Sequence, residues 1–455
     1  MRIDDHPSVK RVRATQSGKR GPNEKLSGAW LRKLCLDHGA DDVGFVSIDR
    51  DEVAGQKDKM LEAYSHTKTL IAIVCKMNRN PVRSPVRSIA NMEFHETYDE
   101  VNTAAREIVR ALDEHGIGSV NAVAAFPQEM QKFPGPVWPV AHKPIAEAAG
   151  LGKMGIHRNV IHPRFGNFIL LGTILIDRDV DEASEPLDYA PCLECKLCVA
   201  VCPVEAIGMD GSFNFSACYA HNYREFMSGF ADWVEEIADS DSREDYRERV
   251  PLNETVSMWQ SLSFKPNYKA AYCISVCPAG EDVLAPFVED KVAFRKEFVE
   301  PLQRKEETVY VLPRSDAEDW LAKRFPEKTP KRVRWTLSAD DPFSFMFNMT
   351  LTFQRSKAKG LDACYHVIFP DLGGMKATIA IRKGVLSIEF AEDGDPDVVL
   401  TIDSTQFAKM FEHGFDLDQA VRDGDVSVDG ELKLVKKLRT CWAVYGSLEG
   451  DLEPA

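Results

Sequence analysis

Apolar positions recur along this chain in several rhythms, each predicting a different element. "LSGAWLRKLCLDHGADDVGFVSI" (Leu26 to Ile48) sets helical spacing before a short apolar run, a helix followed by a strand. "TLIAIVCKM" (Thr69 to Met77) and "FILLGTILI" (Phe168 to Ile176) are unbroken apolar runs of strand length, too short to cross a bilayer and predicted as buried strands. From Tyr98 onward Val101, Ala104, Ala105, Ile108, Val109 and Leu112 recur at helical spacing, and Gly116 supplies the stop. This alternation predicts an α/β core.

The rhythm breaks after the core. Cysteines, loops and short helices dominate residues 186–300, and residues 301–339 are charged and read as a linker. Beyond them "MKATIAIRKGVLSIEF" and "DVVLTIDS" alternate with period two around a Lys-Gly turn, which predicts an antiparallel sheet. "STQFAKMFEHG" is a flanking helix, with Ser404 or Thr405 as its cap. The expected organisation is a basic disordered arm (1–24), an α/β (α+β) core (25–185), a cysteine domain (186–300), a linker (301–339) and a separate α+β domain (340–455).

Composition narrows the classes. The net charge of −15 on 455 residues argues against a general nucleic-acid or anionic-membrane binder. Lys10, Arg11, Arg13, Lys19 and Arg20 are read as a solvated tail. Neither a secretory core nor a twin-arginine pattern follows them. Eleven cysteines without such a signal point to metal or redox chemistry in a reducing compartment, and the cytoplasm is expected.

"PCLECKLCVAVCPVEAI" (Pro191 to Ile207) spaces its cysteines C-x2-C-x2-C-x3-C-P, the bacterial ferredoxin run whose fourth cysteine serves a second cluster. A zinc ribbon would show paired C-x2-C knuckles instead. The second set is Cys218 with Cys273 and Cys277 of "YCISVCPAG". The crosswise rule gives Cys192, Cys195, Cys198 and Cys277 to one cluster, and Cys202, Cys218 and Cys273 to the other. That second cluster is one ligand short, because Ala270 stands where a cysteine is usual. His221, one of Cys35, Cys75, Cys364 and Cys441, or nothing fills the place; the last case gives [3Fe-4S] instead of [4Fe-4S].

Upstream, Gly150, Gly152 and Gly155 match G-x-G-x-x-G, but they follow a helix and precede a strand, the wrong context for a dinucleotide fold. "AEAAGLGKMGIHRNVIHPRFGNFILLGTILID", followed by the cysteine run and then "CISVCP", resembles the reductive dehalogenase and epoxyqueuosine reductase superfamily over residues 60–290. The resemblance implies a ferredoxin-like double-cluster domain and a cobalamin (corrinoid) pocket bordered by Gly150, Gly152, Gly155, His157, Phe165 and Gly166, with His162 nearby. It further implies a tyrosine proton donor with a basic neighbour. Tyr98, at the head of its helix, is the candidate, with His95, His142 and Lys143 around it. No carboxylate lies between Glu129 and Glu147, where epoxyqueuosine reductases carry an acidic residue, which argues against queuosine chemistry and a tRNA partner. The implied activity is reductive cleavage of a carbon–halogen or similar bond in a small hydrophobic substrate, fed by a ferredoxin or flavodoxin. The alternative is an iron–sulfur electron-transfer protein with a lipid-binding domain and no corrinoid chemistry.

Residues 340–445 resemble the sterol-carrier-protein-2 lipid-transfer domain, by strand pairs, the Val398 to Phe407 segment and a late glycine stretch ending at Gly430. Such domains enclose an apolar tunnel. Phe343, Phe345, Met346, Phe347, Met349 and Phe353 are candidates to line it or to form plain core. The implied roles are capture of a hydrophobic substrate or homodimerisation.

Overall fold

The computed structural model describes residues 2–15, 24–124, 138–337, 341–412 and 414–443. Four strands, β1 (Asp42–Ser47), β2 (Thr69–Lys76), β3 (Ser119–Ala122) and the later β6 (Ile169–Ile176), form an antiparallel sheet in the order β1-β2-β6-β3. The helix Arg87–Glu114 lays Val101, Ala104, Ala105, Ile108 and Leu112 on one face, with Leu31 and Cys35 of the helix Gly28–Asp37. The helix His142–Ala148 covers the other face against Val46, Leu70, Ala72, Val74 and Leu175. Both faces are therefore dry, which is why β2 and β6 read as unbroken apolar runs. The antiparallel pairing makes this core α+β. Gly116, at φ 71, ends the long helix as its sequence predicts. That helix starts at Arg87, so Tyr98 sits well inside it and not at its head.

The hairpin of β4 (Lys153–Met154) and β5 (Val160–Ile161) leads to the cysteine region. Here short helices, Leu197–Val201, Phe215–Asn222 and Tyr272–Ser275, carry or flank the thiols. The helices Met227–Ala238, Arg243–Arg249 and Leu252–Phe264 fill the stretch between Cys218 and Cys273.

Two expectations fail in the flanking segments. The basic arm is helical over Pro7–Thr15 and not without structure. The charged "linker" folds into a parallel pair, β7 (Glu307–Val311) and β8 (Lys328–Arg332), joined through the helix Asp316–Arg324. Its apolar positions were hidden among charges: Val309, Val311, Leu321 and Phe325 pack on Cys202, Val204 and Ala206.

The last sheet has β9 (Ala363–Phe369), β10 (Met375–Arg382), β11 (Val385–Glu389), β12 (Val398–Ile402) and β13 (Val426–Gly430), in the order β11-β10-β9-β12-β13. Lys383 and Gly384, both at positive φ, make the predicted tight turn. β12 runs parallel to β9, against the all-antiparallel expectation. Asp403 precedes the helix Ser404–Lys409, and Ser404 hydrogen-bonds Asp371 instead of capping (N–H to Oδ1, 3.0 Å). Phe345, Met346 and Met349 are core, whereas Phe343 and Phe347 are exposed. The core of this domain does not close on itself. It continues into Leu337, Trp335 and Val333, then Tyr310, and then Tyr219 and Ala220 of the cysteine region.

Candidate functional site

Four of the expected cysteines surround one hollow and three lie beside them, with Cys273 between the two sets, since it packs beside Cys198 and bears on Cys277 as well as on Cys202 and Cys218. Cys192, Cys195, Cys198 and Cys277 line one small hollow, with Ile156, His157 and Pro278. Cys202, Cys218 and Cys273 bear on one another's charge, and the first two share an apolar cluster with Val204, Ala206 and Ala217. Lys196 (φ 62) and Ala271 (φ 53) turn left-handed just before the helices Leu197–Val201 and Tyr272–Ser275. Cys195 to Cys198 and Ala270 to Cys273 thus share a backbone motif, with Ala270 at the place of Cys195.

Ala270 packs with Leu197, Val201 and Tyr272, and its N–H donates to Asn222 Oδ1 (3.0 Å). His221 uses one ring nitrogen and leaves the other, Nε2, buried without a hydrogen-bond partner. Its Nδ1 accepts the Tyr310 N–H (3.3 Å), and the charges acting on it are those of Glu307, Lys269, Lys328 and Lys305. Cys35 and Cys75 belong to the first core and Cys441 to the C-terminal one, while Cys364 is buried on β9.

Burial pushes the Cys273 and Cys277 thiols up to about 12, and raises those of Cys202 and Cys218 too. Thiols this deep keep their ionised form only against a cationic partner such as iron. Among the described residues no three His, Cys, Asp or Glu side chains converge as ligands of a single ion. An iron–sulfur core spreads its thiolates over the corners of a larger body, and four cysteines around one hollow fit that donor set.

Beside the second group three tyrosines gather. Tyr98, Tyr223 and Tyr268 are half-buried, and desolvation raises all three phenols. The Tyr98 and Tyr268 side chains hydrogen-bond each other, and the Tyr223 ring stands 5.5 Å from that of Tyr268. Tyr223 also feels the charges of Cys218 and Cys273. His95 stacks on Tyr268 (5.8 Å) and uses Nε2 on the Pro266 carbonyl (2.6 Å). Lys143 bears on the same two cysteines from another element; its ammonium is lowered by desolvation and donates to the Arg158 carbonyl (2.6 Å).

Tyr223 and Lys143 thus both bear on Cys218 and Cys273, Tyr98 is linked to them only through Tyr268 and Tyr223, and His142 does not join them. Its Nδ1 contacts Thr173 Oγ1 (2.9 Å) and its Nε2 the Val123 carbonyl (3.3 Å), a tie between helix and sheet. His157 lies in the wall of the four-cysteine hollow; burial holds its imidazole at about 4, and its Nδ1 accepts the Asn159 N–H (3.1 Å). His162 stacks on Phe165 (4.6 Å) and receives the N–H groups of Arg164 and Phe165 on Nδ1.

The glycines face the chain itself. A Cβ on Gly150 would stand 2.3 Å from the Glu185 carbonyl, one on Gly152 2.5 Å from Val160, one on Gly155 2.7 Å from Ile161 and one on Gly166 2.2 Å from the Ala279 carbonyl. They permit close backbone packing, and Gly166 seats the loop that follows Cys277. Phe165 borders a separate cleft of about 540 Å³, with Lys76, Arg79, Phe168 and Asp282. Sequence reasoning missed Tyr223 and Tyr268, although each stands five positions from a cysteine of the second group, after Cys218 and before Cys273.

Comparison with known proteins agrees with both resemblances. The SCP-2 sterol transfer family matches residues 350–442. Epoxyqueuosine reductase of Vibrio cholerae is 33% identical over 85 residues, 18% of this chain and 22% of the relative. That of a Synechococcus strain is 38% identical over 74 residues, 15% and 21% of the two chains. This chain therefore spans only about a fifth of these curated relatives. Among solved structures, epoxyqueuosine reductase from Streptococcus thermophilus aligns over 61% of this chain and 78% of its own at 15% identity and TM-score 0.32. A catabolic reductive dehalogenase aligns over 60% and 34% at 15% identity and TM-score 0.37. Among the described residues no helix is long and apolar enough to cross a membrane.

Proposed function

We propose that this chain is an oxidoreductase that passes electrons through two iron–sulfur clusters to a corrinoid and cleaves a carbon–halogen or comparable carbon–heteroatom bond in a small hydrophobic substrate. The observation that carries this reading is the hollow lined by Cys192, Cys195, Cys198 and Cys277, beside which Tyr223 and Lys143 bear on Cys218 and Cys273, with Tyr268 and Tyr98 behind Tyr223. One cluster is assigned to Cys192, Cys195, Cys198 and Cys277, the other to Cys202, Cys218 and Cys273. A corrinoid supplies strongly reducing, nucleophilic cobalt when bound. The tyrosines and Lys143 offer the polar contacts for it and for the substrate, because the glycines are occupied by backbone packing.

The chain's own chemical task is proton delivery and exclusion of water. With its phenol raised by burial, Tyr98 stays protonated at neutral pH and can give that proton from Oη, with Tyr268 hydrogen-bonded behind it. A one-electron carrier of the ferredoxin or flavodoxin class is the donor this reading requires. The C-terminal domain is assigned a fixed role as a wall of the cysteine region, since its core is continuous with Tyr219 and Ala220.

The test is elemental analysis and the absorption spectrum of protein purified after growth with cobalamin. Cobalt and corrinoid bands beside iron and sulfide support the reading. Iron and sulfide without cobalt, even after reconstitution, would overturn it in favour of an electron relay.

A further inference from the structure

"PVRSPVRS" (Pro81 to Ser88) repeats a four-residue unit and places two arginines four positions apart, on either side of a break between helices. Arg83 ends the short helix Arg79–Arg83, and Arg87 opens the long helix. Both point their guanidinium groups inward. Arg83 lies over the rings of Phe298 (4.4 Å), Phe168 and Phe294 (5.3 Å each), and its Nε and Nη2 are buried without a hydrogen-bond partner. Arg87 is buried, lies over Tyr272 (5.3 Å) and donates from Nη1 to Ser275 Oγ (3.0 Å) and to the carbonyls of Val82 and Ser84, while its Nε has no partner. Among the described residues neither forms an ion pair with a carboxylate.

Two buried cations without a paired anion are costly, and N–H donors left over in a dry site call for an acceptor. The helix Arg79–Arg83 packs on the helix Tyr272–Ser275, which bears Cys273 and leads to Cys277, so these cysteines join Glu297 and Glu307 as the acidic groups in reach. After burial itself, Arg83 feels Arg79 and then Cys277 and Glu297, and Arg87 feels Tyr272 and then Cys273 and Glu307. These two cysteines belong to different groups, so each guanidinium stands by a different cluster.

We propose that Arg83 and Arg87 set the reduction potentials of the two clusters, Arg83 that of the Cys277 cluster and Arg87 that of the Cys273 cluster. The proposal rests on the reading that these cysteines hold clusters. A thiolate-bound cluster is anionic and gains one more negative charge with each electron it accepts. A fixed positive charge in a low-dielectric site therefore favours the reduced form and raises the potential. The unused N–H groups add hydrogen bonds to cluster or cysteine sulfur, which act in the same direction.

The experiment is a redox titration of full-length reconstituted protein with dithionite, followed by electron paramagnetic resonance. Arg83→Met, Arg87→Met and the matching lysine variants are compared. Arg83→Met is expected to lower the potential of the Cys277 cluster alone and Arg87→Met that of the other, with lysine retaining most of each potential. Unmoved potentials in both methionine variants at full iron content would overturn the proposal. If Arg87→Met sheds iron because its Ser275 contact is gone, Arg83→Met decides alone, since no hydrogen bond ties Arg83 to the cysteine loop and methionine suits its aromatic surroundings. Wild-type protein that binds no iron and sulfide overturns the cluster reading itself, a result distinct from clusters whose potentials do not move.

Discussion

Lys328 is buried on β8, where desolvation lowers its ammonium and Glu307 opposes this by accepting its hydrogen bond (2.6 Å), while Lys305 (2.7 Å) and the Tyr272 hydroxyl (2.6 Å) donate to the other carboxylate oxygen. Burial alone would raise the Glu307 carboxyl, but the two lysines outweigh it and hold the group below its ordinary value. Stability from this carboxylate is present above its unfolded pKa and is lost as pH falls through the lower folded one. Glu307→Gln strands a buried ammonium and is expected to cost about 3–5 kcal/mol. The loss of stability on acidification should also become shallower, as read by denaturant unfolding between neutral pH and pH 3. At the same scale, Tyr98→Phe removes the assigned proton and leaves the ring. The expected outcome is a drop of about 10²-fold in kcat with KM near wild type. Steady-state kinetics on a turned-over substrate checks it, and an unchanged kcat would remove Tyr98 from the mechanism.

At the scale of elements, loops from one part of the chain hold the cysteines of another. The His162–Gly166 turn closes on itself through a pair of backbone hydrogen bonds (2.8 and 3.0 Å) and abuts Ala279 and Gly280, just beyond Cys277. Gly166→Ala adds a Cβ at φ 69, 2.2 Å from the Ala279 carbonyl, and is expected to destabilise by about 1–3 kcal/mol. It should also lower iron retention, measured as iron per chain after gel filtration. The helix Phe215–Asn222 is fixed from the opposite side. Gln354, fully buried, donates to Ser216 Oγ (3.0 Å) and accepts from Asn214 Nδ2 (3.2 Å) at the start of the helix that bears Cys218. The gathering of Cys192, Cys195, Cys198 and Cys277 around one hollow was legible in the sequence, because ferredoxin spacing predicts that these four come together. The reach of Gln354 was not, since nothing in a sequence marks which distant glutamine meets an exposed helix end.

For the whole molecule, the core of the C-terminal domain runs on without a break into the cysteine region. A chain ending at Leu337 would expose Tyr219, Tyr310 and Trp335, which now pack against Met346, Tyr365 and their neighbours. Such a truncation is expected to lose solubility and the signal of the Cys218-containing cluster. A soluble truncated protein with full iron content would instead mark the domain as an appendage.

Pattern along the chain was enough for the buried strands, the tight Lys383-Gly384 turn and the missing thiol at Ala270. Each rests on local periodicity or on spacing between near neighbours, which survive any tertiary arrangement. Only the tertiary structure decided that the charged segment 301–339 is a βαβ unit, that His142 serves the sheet, and that Tyr223 and Tyr268 join Tyr98. These depend on which distant surfaces exclude water together. Burial turns a scattered arginine, lysine or tyrosine into a tuned group, and a linear pattern does not carry that information.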